Sequence, residues 1–291
     1  SIYMSFIKSI KKSGSKINLY KLDQDILAKQ TKDTTLFSNG INICFLDLET
    51  TGLNTEEDKI IEIALKVVKI DKIDGNIISF EFEYGSFQDP GMPIEDNISK
   101  ITGIDDEMVA GHEIDWNKVN EIVQASDIMV AHNAKFDRSF MDRYMPLSKD
   151  KIWACSVNDI DWLNRGFVKG SLELLSIWHG FYYDSHRAMN DVDAVIHLLT
   201  HPSNKDNKPV VELINNSQIP YYEVIASNSP YETKDILRSH NYRWNGENKY
   251  WWKRVNKDEI DKERSWLTDK VYNGYFMGIV EEVLIQDKYK K

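Results

Sequence analysis

The apolar run Ile43-Cys44-Phe45-Leu46 passes straight into Asp47-Leu48-Glu49-Thr50-Thr51-Gly52-Leu53. A short uninterrupted run of this kind reads as a buried strand. Alternate residues of a strand share a face, so Asp47 and Glu49 aim together from the end of a strand that the core must cover. Neighbouring carboxylates repel, and burying charge is costly. A divalent cation held by hard oxygen ligands is the natural group to lie between them. The pair alone is a weak signal, because a chain with 46 acidic residues makes Asp-x-Glu by chance, and most such pairs are solvated surface.

The chain has 291 residues, room for one large domain or for a domain with a smaller module. Its 42% hydrophobic and 28% charged content is that of an ordinary soluble globular protein. No apolar run approaches the ~18 residues that span a bilayer, so no membrane partner is expected. The lysine-bearing start lacks the apolar block of a signal peptide. Cys44 and Cys155 are too few for a disulfide framework, and Cys44 reads as a small buried hydrophobe. A reducing, cytoplasmic setting is expected. The net charge of −10 is uneven: residues 1–40 carry seven Lys against three Asp, and 221–291 carry thirteen basic against twelve acidic residues. The middle is left with 16 basic and 31 acidic residues. So acidic a body argues against wrapping long duplexes by charge alone. It leaves open an enzyme that grips one strand end through bound metals.

Residues 1–40 are polar and Lys-rich, with one short helix expected within Leu19–Ala28. They read as an N-terminal appendage. Strand patterns follow at 41–48, 59–70 and 77–84, with Asp71 to Gly75 as a hairpin turn. Helix-like stretches near Glu95–Ile101 and Asn117–Ala125 lead to a short strand at Ile128–Ala131. A helix from Asn133 to about Tyr144, a strand near Ile152–Ala154, a Ser171-capped helix and a helix near Met189–Leu199 complete the pattern. Strands first, then strands and helices in alternation, predict a mixed-sheet α/β domain over 41–217. Residues 218–291 change texture and read as a small Trp-rich α+β module.

Two further segments carry polar residues at strand-to-helix and loop-to-helix junctions. In His132-Asn133-Ala134-Lys135-Phe136-Asp137 the plain reading makes Asn133 an N-cap and Asp137 an exposed helix acid. In His186-Arg187-Ala188-Met189-Asn190-Asp191 it makes Asp191 a carboxylate favouring a helix N-terminus and His186 a loop residue. Taken with DLETTGL, in this order and spacing, the three segments resemble the motifs of the DEDDh (DnaQ-like) 3′→5′ exonucleases, the family of the proofreading epsilon subunit of bacterial DNA polymerase III and of RNase T. The resemblance spans roughly residues 41–200 and extends to Ile60–Val68 and to IDDEMV (104–109). With its Trp-rich tail the chain also looks like a stand-alone bacterial subgroup. Two departures stand out: Lys100-Ile101-Thr102-Gly103-Ile104 lacks a His that relatives often carry, and residues 152–162 replace a common Asp-Thr-Leu pattern.

The resemblance implies an RNase H-like mixed five-stranded sheet flanked by helices. It also implies two divalent ions, Mg²⁺ or Mn²⁺, at a site that hydrolyses phosphodiesters from a 3′ end and releases nucleoside 5′-monophosphates. Asp47 would bridge the ions, Glu49 and Asp191 would complete the first, and Asp137 would serve the second. His186 would be the general base. Backbone groups around Leu48, Thr50 and Thr51 would approach the terminal nucleotide, and Gly52 would permit close passage. Glu62 is a candidate for the 3′-hydroxyl, Leu53 and Phe136 for the bases, and Asn133 for the shape of the turn. The bland reading of Leu53 and Phe136 is core packing. The nucleic acid is DNA by preference, with replication or repair proteins as partners. RNA trimming, or a non-catalytic nucleic-acid-binding or polymerase-associated subunit, are the alternatives.

In the C-terminal module, basic residues interleave with aromatics between Lys234 and Arg254, a pattern suited to single strands. Arg243, Trp244, Trp251 and Lys253 are the candidates for that role, against the plain reading of a mini-core. The stretch also resembles a small-domain pattern, Lys/Arg-x-x-Gly-x-Arg-Trp followed by a further Trp, with Asn241 at the glycine position.

Overall fold

The apolar run from Ile43 lies within β1 (Gly40–Thr50), which forms the centre of a sheet. The computed structural model describes residues 11–32, 39–167 and 170–291; the expectations for residues 1–10 and 33–38 lie outside them. β2 (Ile60–Asp71) runs antiparallel to β1, and β3 (Ile77–Phe87) returns along β2. Their hairpin falls at Asp71 to Gly75. The Asp71 carboxylate accepts the Ile73 N–H at 2.8 Å, and Gly75 takes φ +76°. The short strands β4 (Ile128–Ala131) and β5 (Ile152–Cys155) add in parallel on the other side. Among the described residues the order is β3-β2-β1-β4-β5, the mixed five-stranded sheet that the sequence implies.

Alternation along β1 feeds two cores. Ile43 and Phe45 belong to one face, and Cys44, Leu46 and Leu48 to the other. Helices of this unit include α1 (Gln24–Ala28), α2 (Asp96–Thr102), α3 (Trp116–Gln124), α4 (Ala134–Tyr144), α5 (Leu172–Trp178), α6 (Ala188–Leu199) and α7 (Pro209–Ser217); all but α2 pack on these two cores. α3 starts where the Asp115 carboxylate accepts the Asn117 and Lys118 N–H groups, and it buries Val119, Ile122 and Val123, the spacing of one helical face. The Ser171 hydroxyl accepts the Leu174 N–H and so starts α5. α6 buries Val192 through Leu199, as a helix sealing a sheet must. No described helix is long and apolar enough to cross a membrane.

The described part of residues 1–40 differs from a separate appendage. Leu22 and Leu27 lie in the core with Ile43 and Phe45. Tyr20–Lys21 pairs in parallel with Phe181–Tyr182. The Tyr20 hydroxyl meets His197 Nε2 at 2.8 Å and His201 Nε2 at 2.9 Å. The expected helix is shorter, beginning at Gln24 under an Asp23 cap. These apolar residues are too sparse for a periodic signal, and only tertiary contact buries them.

The chain divides into two units, one running to Ser217 and rejoined by Tyr289–Lys291, the other Gln218–Lys288. Tyr289 belongs to the first through its place in the core and its hydroxyl, which donates to Asp159 Oδ2 at 2.7 Å. The smaller unit holds β6 (Tyr221–Ala226), α8 (Lys234–Ser239), β7 (Arg243–Asn245), β8 (Tyr250–Val255), α9 (Ile260–Lys270) and β9 (Ile279–Val283). Its antiparallel sheet has the order β7-β8-β6-β9. Val224, Leu237, Tyr242, Trp251 and Leu267 form its core.

Candidate active site

Asp47 and Glu49 continue the face of β1 begun by Ile43 and Phe45, the face that α6 covers. Glu49 stands opposite Glu62 of β2, but Thr50 stands opposite Ile60. Ile61 is therefore the extra residue of a β-bulge, a device that bends a strand end and re-aims its side chains. Asp191, in the first turn of α6, comes down onto the same face. Carboxylate oxygens of Asp47, Glu49 and Asp191 all lie within 4.8 Å of one another. Asp137 arrives from the first turn of α4, buried, with the Leu48 N–H donating to its carboxylate.

Two residues of β2 set the position of α6. Glu62 accepts the Ala188 N–H at 2.8 Å and so holds the helix N-terminus, and its other oxygen meets Arg187 at 3.3 Å. Four residues on, the Lys66 ammonium lies 2.6 Å from Asp193, with both side chains buried. Gln24 of α1 donates to the second Asp193 oxygen at 2.5 Å. With Asp193 committed to β2, the helix is turned so that Asp191 faces Asp47.

This crowding shows in the protonation of the group. Burial, then the charges of Asp191, Asp137 and Glu49, hold the Asp47 carboxyl well above the usual carboxylate range. Burial, then Asp191 and Glu62, push Glu49 up to about 8. Asp191 is raised to about 6 by burial, against hydrogen bonds with Asp47, Tyr183 and the His186 backbone that favour its charge. Burial likewise raises Asp137, against N–H donors from its own backbone and that of Leu48. Asp47 Oδ2 and Asp137 Oδ1 are buried with no hydrogen-bond partner. Buried polar atoms are rarely left so. A set of oxygen-only, mutually repelling ligands with orphaned atoms fits a hard divalent cation.

His186 has φ +67°, and its imidazole is about half exposed, with Nε2 3.6 Å from Glu173. Its backbone N–H reaches Asp191, so the residue borders the cluster while its ring turns outward. The other expected residues fall into two groups. Leu53 is 85% exposed and free of the core. Asn133 is exposed in the left-handed conformation at the start of α4, a conformation that Asn tolerates. Phe136 is half-buried against Phe140, ring centroids 5.0 Å apart. The Leu48 side chain lies in the core on the opposite face, while its backbone N–H reaches Asp137. Thr50 closes its hydroxyl on the Gly52 carbonyl at 2.7 Å, and Thr51 donates to Asp58 at 3.1 Å. Gly52 is small for a local reason: a Cβ would come 2.8 Å from the Asp58 carboxyl carbon. Both oxygens of Glu62 are engaged by α6 and Arg187, which makes it an anchor in this conformation.

Four side chains that shape the site carry no motif signal. Tyr183 hydrogen-bonds Asp191. Lys66 and Asp193 clamp α6. Arg143 donates to the Thr55 carbonyl at 2.8 Å and to the Asp58 carbonyl, tying the loop after β1 to α4. The i, i+4 spacing of Glu62 and Lys66 on one strand face was the available signal for the clamp. In the smaller unit, Trp251 is a core residue and Lys253 is bound to the buried Glu263 carboxylate at 2.5 Å. Arg243 and Trp244 remain exposed.

A central strand delivering paired carboxylates to acids on two flanking helices, within a mixed five-stranded sheet, defines an RNase H-like nuclease frame. The chain belongs to the exonuclease family: residues 44–199 match the family's model, of the RNase T type. It is 32% identical over 163 residues to the PolC-type DNA polymerase III of Listeria monocytogenes, a match spanning 53% of this chain and 11% of that protein. With the Halalkalibacterium halodurans PolC-type polymerase it is 32% identical over 168 residues, again 53% and 11%. The chain thus spans about a tenth of the length of these relatives. Among solved structures, exonuclease X in complex with 5′ overhanging duplex DNA aligns with a TM-score of 0.43 at 23% identity, over 58% of this chain and 99% of that one. E. coli exonuclease I in complex with a dA16 oligonucleotide aligns at 0.45 and 15%, over 63% and 48%.

Proposed function

We propose that this chain is a divalent-metal-dependent 3′→5′ exonuclease that shortens DNA from single-stranded or frayed 3′ ends and releases nucleoside 5′-monophosphates. One observation carries the proposal. Asp47, Glu49 and Asp191 converge within 4.8 Å, and buried oxygens of Asp47 and Asp137 lack any partner. Preference for DNA rests on the PolC-type relatives, which are DNA polymerases.

Asp47, Glu49 and Asp191 would hold one divalent ion, and Asp47 with Asp137 a second; two such ions offer charge relief to a phosphodiester and an attacking water of lowered pKa. The protein supplies the rest. The β1 bulge and the clamp on α6 hold the carboxylates ready before substrate arrives, so little reorganisation is needed during reaction. His186 takes the proton from the attacking water. Its outward ring would have to turn in from Glu173, so its service depends on closure around substrate. Leu53 and Phe136 offer apolar surface to the terminal bases.

The test uses 5′-labelled single-stranded DNA, 3′-paired duplex and single-stranded RNA, each with Mg²⁺ or Mn²⁺. A ladder of shortened products on DNA, abolished by EDTA and by Asp137→Ala, is the expected result. No shortening of any substrate with either metal would overturn the proposal.

A further inference from the structure

The smaller unit presents a feature that its own folding does not require. Trp244 is 51% exposed on β7, an edge strand of three residues, although exposing indole forgoes a large burial gain. Its ring lies beside Trp251, centroids 5.4 Å apart. Trp251 carries the Arg238 guanidinium over its face at 5.5 Å. Next to Trp244, Arg243 is exposed and has no carboxylate partner among the described residues. Asn241 stands in the left-handed conformation at φ +67°. It makes the sharp turn from α8 into β7 that brings Arg238 and Arg243 to the two ends of one short segment.

Two other basic residues of the stretch are consumed internally, whereas Lys249 is exposed. Lys253 neutralises the buried Glu263 at 2.5 Å, and Arg254 covers Tyr221 at 3.9 Å. What stays outward is one flat ring with the Arg243 guanidinium next to it, and near them the exposed Arg238 guanidinium, which lies over Trp251 and shares its charge with Asp235 at 3.3 Å. The larger unit shows the contrary balance, with its acidic surplus in residues 41–220. A protein surface would be met equally well by an aliphatic patch. Rings with flanking cations instead suit a ligand that alternates planar bases with phosphates.

We infer that β7 and the end of α8 form a holding site for single-stranded nucleic acid, with Trp244 stacking on a base and Arg243 and Arg238 meeting the backbone on either side. The site takes no part in bond cleavage and raises the residence of long substrates. This inference rests on the nuclease reading for its biological sense, but its binding chemistry is separable from it.

The experiment measures anisotropy of fluorescein-labelled dT20 with the full chain in EDTA, where no hydrolysis occurs. Base–aromatic stacking predicts that Trp244→Ala weakens binding roughly tenfold, while Trp244→Phe, which keeps a stacking face, stays within about threefold. Arg243→Glu should weaken binding and lower the salt dependence by about one phosphate's worth, a slope change of ~0.7. Hydrolysis of a thymidine dinucleotide in Mn²⁺ should be the same in all variants, and the KM for dT20 should rise in the first and third. Unchanged dT20 affinity in both Trp244→Ala and Arg243→Glu would overturn the inference. So would an equal loss in Trp244→Phe and Trp244→Ala, which would mark a structural role. A wild type inactive on every substrate that still binds dT20 through Trp244 would sink the nuclease reading and leave this site standing.

Discussion

Without divalent ions, Glu49→Gln should stabilise the protein, and by more at high pH than at low. Burial and the charges of Asp191 and Glu62 keep Glu49 protonated up to about 8 in the folded chain, against 4.5 ordinarily. Below pH 4.5 the carboxyl is neutral in both states and costs nothing. As pH rises, the unfolded chain releases its proton while the folded chain retains it. Stability then falls by about 1.4 kcal/mol per pH unit until the folded value is reached, and the loss is constant beyond it. The whole window sets a ceiling of about 5 kcal/mol. Glu49 is only partly buried and shares its protons with Asp47 and Asp191, which lowers the expected figure to about 2 kcal/mol. Gln has the same shape and no charge, so the variant lacks the slope. Buried histidines titrate alike in both proteins and cancel in the difference. Urea unfolding of both proteins in EDTA, followed by tryptophan fluorescence from about pH 5 to about pH 8.5, reads this directly. The variant's advantage should grow across that range to about 2 kcal/mol and should reverse in excess Mn²⁺, which stabilises only the chain that binds it. A difference that stays flat with pH would refute the picture of crowded carboxylates.

Replacing His186 by Ala should lower the rate of DNA shortening by about 10²–10⁴-fold, with Mn²⁺ affinity by calorimetry nearly unchanged; a parallel loss of metal binding would make His186 a ligand. Asp193→Ala leaves the buried Lys66 with only the longer contacts to Gln24 Oε1 at 3.4 Å and to Glu83 at 3.6 Å among the described residues, and should cost about 3 kcal/mol in urea unfolding; a change under 1 kcal/mol would mean that α6 is positioned by packing alone. Burial holds His179 and His197 down at about 4 and His201 at about 2. Their neutral forms are required in the fold, so stability should fall as pH drops below about 6.5, and less steeply after His197→Gln, as thermal unfolding would show. Gly52→Ala drives a Cβ toward the Asp58 carboxyl, which also holds the Asn54 N–H at 2.8 Å. A loss of about 1–2 kcal/mol is expected, and an unchanged melting temperature would show that the loop yields freely.

Local pattern carried much of the sheet. The buried run of β1, the alternation in β2 and β3 and the Asp71 turn are properties of short windows, and each is found where its period predicts. The segments that carry the four acids and His186 were also legible, because junction motifs keep their spacing in the chain. The N-terminal segment was not. Leu22 and Leu27 are isolated apolar residues in polar surroundings, and nothing local says that Ile43 and Phe45 cover them. Gly52 and Glu62 show a different limit. Their residue types were noticed, but what they do depends on Asp58 and on the Ala188 N–H, partners that the sequence does not name.

By itself, then, the sequence determined that Asp47 and Glu49 share one face of a buried strand, since a two-residue period follows from backbone geometry alone. It could not determine that Asp191 meets them within 4.8 Å. That meeting depends on the rotation of α6, and the rotation is decided 127 positions apart in the chain by a buried Lys66–Asp193 pair and by Glu62 gripping the helix end. Likewise, composition marks the basic aromatic stretch, but only packing separates Trp251 in the core from Trp244 at the surface. Side chains two residues apart share a face by covalent geometry. Whether that face looks into protein or into water is settled by the elements that fold against it.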